Sequence, residues 1–326
     1  MNREQGFGLR FLVRREDAGR LLGFLRPRIV EAHGSQLSLL FNGGHVTVDG
    51  RLARPEDTIV AGSEVELFLP DHNEQPVATN WQVLWGNDEL LAVFKPHMLP
   101  VSRTTRNLYN TLISLVRRET PYEDARLLHR LDTETAGVIL LAKNRAADQK
   151  WKPRLDQLIV RKIYHAWVTG RPDWQERLYE CFLSEKPGSL IRSQVYVVPT
   201  NESKLYLKPR YSKTAFRVLY SESGRALVEC ELYTGRKHQI RAQLASLGHP
   251  LIGDKLYAHD GHFYLKRIDH GLTQADYESL GAEHHLLEAV QCVINPEGKE
   301  VIINSKPTNE SESPEQPFKK VCLLSS

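Results

Sequence analysis

Leu128-His129-Arg130-Leu131-Asp132-Thr133-Glu134-Thr135-Ala136-Gly137 runs directly into the apolar stretch Val138-Ile139-Leu140-Leu141-Ala142. A continuous apolar run of this length reads as a buried strand. The turn ahead of it leaves the Asp132 carboxylate at the mouth of a rigid element, two positions after an arginine. A group placed there is held still, as a reacting centre must be. Taken alone, an aspartate in a Thr/Gly turn also has an ordinary structural use as a turn or N-cap residue.

Other segments decide between those uses. Arg161-Lys162-Ile163-Tyr164-His165-Ala166-Trp167-Val168-Thr169-Gly170 alternates as a strand. Thr234-Gly235-Arg236-Lys237-His238-Gln239-Ile240-Arg241 leads into a short helix over 239–247. Leu247-Gly248-His249-Pro250-Leu251-Ile252-Gly253-Asp254-Lys255-Leu256-Tyr257 and His285-Leu286-Leu287-Glu288-Ala289 follow. Together with the opening stretch they resemble, in order and over about two hundred residues, the segments of the Rlu-type pseudouridine synthases of ribosomal large-subunit RNA and tRNA. One tetrapeptide carries little weight; several in order carry much. The family's usual Thr-Ser-Gly reads Thr135-Ala136-Gly137 here, which removes a hydroxyl beside the site.

The resemblance implies that Asp132 is the catalytic aspartate, Arg241 its ion-pair partner and Tyr164 the active-site tyrosine. Pseudouridine formation breaks the bond between uracil and ribose, turns the base and rejoins it through carbon. It consumes no redox equivalent and no phosphate energy, so no cofactor is expected. The carboxylate must be ionised, and a neighbouring guanidinium favours that form. Arginine suits this role because it stays charged and binds carboxylates through two hydrogen bonds. The Tyr164 ring can stack on the base, and its hydroxyl can take part in removing the proton at the new attachment carbon. A base inside folded RNA has to be flipped out, at a cost of a few kcal/mol. Arg130 is a candidate for filling the vacated space or gripping the phosphate. His129, Lys95, Arg236, Lys237 and Lys255 complete the substrate-binding candidates.

The first seventy residues read as a separate basic module. Asp17 is placed as an N-cap before Leu21, Leu22 and Leu25 at helical spacing. A second helix is expected over 35–41, stopped by Gly43-Gly44. His45 to Gly50 alternates into an Asp-Gly turn, and Val65, Leu67 and Leu69 alternate again. This order is similar to the S-four-type RNA-binding domain. The second helix lacks the basic residues usual there, which leaves Arg14, Arg15, Arg20, Arg26, Arg28 and Arg51 as RNA-contact candidates. Asp71-His72-Asn73-Glu74-Gln75-Pro76 suits a linker.

Downstream, strands are expected over 90–94, 213–221 and 225–233, the last two forming a hairpin. A helix is expected over 110–118. Pro153 should split the helical stretch 146–160 into two pieces, the second starting near the proline. The tail after 303 has a disordered composition.

The chain has 326 residues, 41% hydrophobic and 25% charged, with a net charge of +3. That composition belongs to a globular protein with a real core, and the length favours two domains. The weak net charge means that RNA contacts require local clustering. No run approaches the roughly 18 apolar residues of a membrane span. The polar N-terminus has no signal core, so a cytoplasmic location is expected. The four cysteines, Cys181, Cys230, Cys292 and Cys322, form no Cys-x-x-Cys pair. They suggest neither zinc nor a disulfide framework. His129, His238 and His249 with Asp254 invite a metal reading, but their spacing does not support one. The Gly235, Gly248 and Gly253 region lacks the spacing of a phosphate loop.

The expected architecture is α+β. A mixed, largely antiparallel sheet forms a catalytic domain over 80–304, after an RNA-binding module over 9–72 and before a flexible tail over 305–326. RNA is the expected partner, with large-subunit rRNA favoured and tRNA the alternative, and the protein is expected to act as a monomer. Two rival readings are a non-catalytic RNA-binding ribosome assembly factor and a hydrolase that frees the base.

Overall fold

The computed structural model describes residues 6–29, 37–70, 72–104, 106–199 and 201–306. The chain divides into two compact units. One comprises Met1–Val77 with Ser102–Glu123, the other Ala78–Val101 with Asp124–Ser326.

In the first unit, strands β1 (Gly6–Leu12), β3 (Val46–Val48), β4 (Arg51–Leu52) and β6 (Glu64–Pro70) form an antiparallel sheet in the order β1-β6-β3-β4. The short β2 (Gly19–Arg20) and β5 (Thr58–Ile59) pair separately. Among the described residues it also holds helices α1 (Leu21–Leu25), α2 (Leu37–Asn42) and α3 (Leu112–Glu119). Val65, Leu67 and Leu69 point inward along β6, as their alternation requires, and join Leu21, Leu25, Leu40 and Val46 in one core. Tyr109 belongs to the same core.

Three expectations need correcting here. Asp17 does not cap α1: residue 20 occupies the cap position with no side-chain bond, and the Asp17 carboxylate instead accepts from Arg28 Nη2 at 2.7 Å. The Asp71–Pro76 segment is more than a spacer, since the Glu74 carboxylate accepts from the backbone N–H groups of Leu108, Tyr109 and Asn110. Those bonds fasten the 102–123 segment within this unit, so the stretch expected to be catalytic-domain sequence packs with the first unit. Positions 35 and 36 of the second helix lie outside the described residues.

The second unit is built on an eleven-stranded sheet. Its strands are β7 (Gln82–Gly86), β8 (Leu90–Lys95), β9 (Arg126–Leu127), β10 (Ala136–Ala142), β11 (Ile159–Thr169), β12 (Glu176–Ser184), β13 (Tyr196–Val197), β14 (Arg210–Glu222), β15 (Arg225–Leu232), β16 (Leu287–Ile294) and β17 (Val301–Asn304). The order is β13-β12-β14-β15-β11-β16-β10-β8-β7, with β17 beside β16 and β9 beside β10. Among the described residues only β10 and β16 pair in parallel, and the other pairings of this sheet are antiparallel. All seven residues of β10 are buried, as a strand covered on both faces must be.

Helices α4 (Arg145–Trp151) and α5 (Leu155–Leu158) flank a single 3-10 turn holding Pro153, so the proline breaks the helix where expected. The β14–β15 hairpin turns at residues 223–224, also as expected. Helices α6 (Gln239–Ser246), α7 (His262–Asp269) and α8 (Gln274–Leu280) follow.

The strand β17 was not expected. Beyond it Ser305 Oγ donates to Glu288 Oε1 at 2.6 Å. The rest of the anticipated tail, from 307 onward, lies outside the described residues. Among the described residues no helix is long and apolar enough to cross a membrane.

Candidate active site

The loop ahead of β10 is tied down from beneath, and its ties explain why one carboxylate is left to face outward. Lys95, fully buried at the end of β8, donates from Nζ to the carbonyls of Pro96, Leu99 and Thr133 at 2.8–2.9 Å. Glu134 accepts from Lys255 Nζ at 3.1 Å and from the His285 backbone N–H at 3.0 Å. Thr135 Oγ1 lies 2.8 Å from His285 Nε2, and the Thr135 N–H closes the turn onto the Asp132 carbonyl at 3.1 Å. At the start of β10, Gly137 adopts φ +110°, and a Cβ there would sit 2.2 Å from the Ala289 carbonyl oxygen. Only glycine lets β10 approach β16 this closely.

Asp132 is then free to meet α6. Arg241 Nη1 donates to Asp132 Oδ2 at 2.7 Å. The same guanidinium grips Asp254 through two bonds, from Nε at 2.8 Å and from Nη2 at 3.0 Å. Asp254 is fully buried, and its Oδ1 also accepts from the N–H groups of Leu256 and Tyr257. Arg241 is thus a bridge between one buried, fully satisfied carboxylate and one that opens on the cleft. Burial pushes the Asp132 carboxyl up, but the positive charge of Arg241, with His238 and His285 behind it, holds it down at about 2. Asp254 is held below its usual value by the same guanidinium against the opposing effect of burial. Both acids are ionised at neutral pH, and two carboxylates on one arginine keep that arginine charged.

Around Asp132 the cleft is lined by Arg130, Leu131, Thr135, Tyr164, Leu232, Arg236, His238, Gln239, Ile240, Arg241 and Leu287. Tyr164 faces it from β11, 7% exposed. Burial pushes its phenol above the ordinary range, so it stays a neutral hydroxyl. His238 sits at the N-terminus of α6 in a left-handed conformation, φ +54°, with Nδ1 3.0 Å from the Tyr257 hydroxyl. Burial, then Arg241, lowers its imidazole to about 4. Gln239 anchors the preceding turn: its Oε1 accepts from the Thr234 hydroxyl and the Arg236 N–H, and its Nε2 donates to Thr214 Oγ1 at 2.8 Å.

Of the nine residues singled out from sequence, Asp132, Tyr164, Arg241, Arg130 and Arg236 all line this cleft. Arg130 is exposed; Arg236 is exposed and donates from Nε to the Tyr211 carbonyl. Lys237 is exposed and pairs with Glu185 at 2.7 Å. His129 turns into the sheet, where its Nε2 accepts from the Leu140 N–H at 3.0 Å; burial lowers it to about 3, so the ring is neutral.

Lys95 cannot touch a phosphate, because it is 0% exposed with three backbone acceptors. Lys255 is 5% exposed and occupied by Glu134 and the Glu283 carbonyl. From sequence Asp254 stands out only as a neighbour of His249 in a metal reading. Its repeated bonding to N–H groups two and three residues on is the usual habit of aspartate in turns and was the available signal. His129, His238 and His249 have three different partners. Among the described residues no group of His, Cys, Asp and Glu is arranged to hold a metal.

The RNA pseudouridylate synthase family profile matches residues 89–246, the span that carries Asp132, Tyr164 and Arg241. An uncharacterized RNA pseudouridine synthase of Synechocystis is 30% identical over 298 residues, covering 88% of this chain and 99% of that one. The ribosomal large subunit pseudouridine synthase D of Neisseria meningitidis is 27% identical, covering 75% of this chain and 65% of the relative. Among solved structures, human RNA pseudouridylate synthase domain containing 1 superposes with a TM-score of 0.54 at 20% identity, covering 71% of this chain and 86% of that one. That likeness speaks for the fold. With one relative matched along nearly its whole length, the chain belongs to the RNA pseudouridine synthase family.

Proposed function

We propose that this protein isomerises specific uridines of structured RNA to pseudouridine, with Asp132 as the catalytic group and large-subunit rRNA as the target. The observation that carries the reading is the Asp254–Arg241–Asp132 chain, which presents an ionised carboxylate in a cleft beside the Tyr164 ring.

In this reading the flipped uridine enters between Tyr164 and Asp132, and Arg130 and Arg236 at the exposed side take its phosphates. Asp132 acts on the ribose or the base as the N1–C1′ bond breaks. The uracil turns in place, held against the Tyr164 ring, and C5 bonds to C1′. The C5 proton leaves, and N1 gains a proton, so the product is an isomer. Tyr164 begins the cycle protonated, so its hydroxyl can share in removing the C5 proton only by passing its own proton on.

The unit holding residues 9–72 and 102–123 serves as the RNA-binding module, and residues 80–101 with 124–304 serve as the catalytic domain. Arg15, Arg20, Arg26 and Arg51 are exposed on that module and supply the local positive charge that the small net charge does not. The protein acts as a monomer in the cytoplasm. The large-subunit target is favoured by the name of the Neisseria relative and by the value of a second grip on a large RNA.

Tritium released from uridine labelled at C5 tests this directly, with rRNA and tRNA supplied separately. Release from rRNA without free uracil supports the whole reading. Release from tRNA alone replaces the target but keeps the chemistry. Free uracil would make the protein a hydrolase, and no release from naked or partly assembled rRNA or from tRNA would favour an assembly factor.

A further inference from the structure

His238 takes a left-handed backbone, φ +54° and ψ +23°, a conformation that an L side chain adopts at a cost. Such strain persists only where the surroundings impose it, and it gathers at ligand-binding positions. Here the turn over 234–239 imposes it. Gln239 Oε1 holds the Thr234 hydroxyl and the Arg236 N–H, and the Gln239 N–H bonds back to the Arg236 carbonyl at 3.2 Å. The imidazole is thereby carried into the wall of the Asp132 cleft.

The bonding network assigns the proton of that ring. The Tyr257 hydroxyl oxygen accepts from the Val195 N–H at 3.0 Å. Its own proton has one acceptor among the described residues, His238 Nδ1, also at 3.0 Å. Nδ1 is therefore unprotonated and Nε2 carries the N–H. Burial, and then Arg241, keep the ring neutral at working pH. Nε2 lies 3.8 Å from Asp132 Oδ1, beyond hydrogen-bond reach, while Arg241 bonds the other oxygen, Oδ2. No described residue accepts from Nε2. An uncommitted neutral donor thus stands beside the carboxylate assigned to the chemistry.

We propose that the His238 Nε2–H donates a hydrogen bond to the uracil carbonyl oxygen nearest the exchanging bond, and so stabilises the base while it is detached. This role rests on the isomerase reading. When N1–C1′ breaks, its electron pair stays on the uracil and spreads from N1 onto O2 and O4. The base becomes an anion in a cleft that already holds an ionised carboxylate, and Arg241 is shared between two aspartates. A fixed donor aimed where charge develops lowers that barrier. Turning the base about its N3–C6 axis exchanges N1 with C5 and O2 with O4. One fixed donor therefore meets O2 before the turn and O4 after it. His238 keeps its proton throughout. With Nε2 protonated, it cannot take the proton that leaves C5.

The test is single turnover, enzyme in excess, on an RNA fragment carrying the target uridine or 2-thiouridine in its place. Wild type, His238→Asn and His238→Gln are compared. Asparagine accepts the left-handed backbone and can still bond Tyr257, but its amide ends one atom short of Nε2; glutamine reaches that position. His238→Asn should react about 10²-fold more slowly on the uridine RNA, the usual cost of one such donor. Its RNA affinity and melting temperature should stay close to wild type, and His238→Gln should recover most of the rate. Sulfur accepts hydrogen bonds poorly, so 2-thiouridine should slow wild type and His238→Gln more than it slows His238→Asn. A His238→Asn rate within about three-fold of wild type, or the same sulfur effect in all three proteins, overturns the role. Should His238→Asn not fold, His238→Gln is read alone: a sulfur effect like that of wild type is expected, and its loss at an unchanged rate overturns the role. No pseudouridine from wild type on the uridine RNA would defeat the isomerase reading itself, and this role with it.

Discussion

Arg241 and Asp132 meet through a single 2.7 Å bond while two further nitrogens of Arg241 are committed to Asp254. The arginine is therefore oriented by a carboxylate that never sees substrate, and it offers its remaining N–H group to the one that does. Removing it should move the titration of Asp132. With Arg241 present, the carboxyl sits at about 2, below the unfolded value near 4. Its contribution to stability is present above pH 4 and is lost as pH falls toward 2. In Arg241→Gln the burial effect remains and its main opponent is gone, so the carboxyl should rise above 4. Single-turnover rates should then show an acid limb absent from the wild type between pH 5 and 7. Parallel profiles for the two proteins would contradict the pairing.

Asp254→Asn should behave differently. It leaves Arg241 buried with its main counter-charge missing, which costs about 3–5 kcal/mol. The Arg241–Asp132 bond survives, so no acid limb should appear between pH 5 and 7. Chemical denaturation and the pH–rate profile of the same variant check both halves.

Gly137→Ala should be among the most damaging small changes in the chain. Its added Cβ meets backbone atoms of Ala289 at 2.2–2.7 Å, and neither strand can retreat without breaking the parallel β10–β16 pairing. A loss above about 4 kcal/mol is expected, in the range reserved for backbone strain and core disruption. Urea denaturation measures it, and a loss under about 1 kcal/mol would show that the sheet can yield.

Lys95→Met should destabilise the loop that holds Asp132. Three carbonyls lose their donor, and each orphaned buried acceptor costs about 1–3 kcal/mol, offset in part by no longer burying an ammonium. Burial pulls Lys95 down to about 7 against the opposing charges of Asp132 and Glu134. Between pH 7 and about 10.4 the unfolded chain therefore binds more protons there. Wild-type stability should gain on the variant as pH rises through that window. A difference that shrinks with pH would mean that Lys95 stays charged.

Much of this was legible from local pattern. The apolar run after Gly137 could be little but a buried strand, Pro153 could not sit inside a helix, and Ser223-Gly224 between alternating runs marked a hairpin. Asp132, Tyr164 and Arg241 were traceable through a resemblance, and they converge on one cleft although 109 positions separate Asp132 from Arg241. What was hidden depends on partners distant in sequence. Lys95 reads as a surface cation until the Thr133 carbonyl closes over it. Asp17 reads as a cap until Arg28 claims it. Glu74 reads as linker until the amides of Leu108 to Asn110 arrive. Val301–Asn304 is too short to declare itself as a strand without β16 beside it.

The most direct measurement is pseudouridine formation in a single turnover on large-subunit rRNA by the wild type and Asp132→Asn, with RNA binding measured on the same samples. Asp132→Asn keeps the shape and can still accept a bond from Arg241, so fold and RNA affinity should remain within a few-fold of wild type while product formation disappears. Product formed by Asp132→Asn at a rate near that of the wild type would contradict the assignment of Asp132 as the catalytic group.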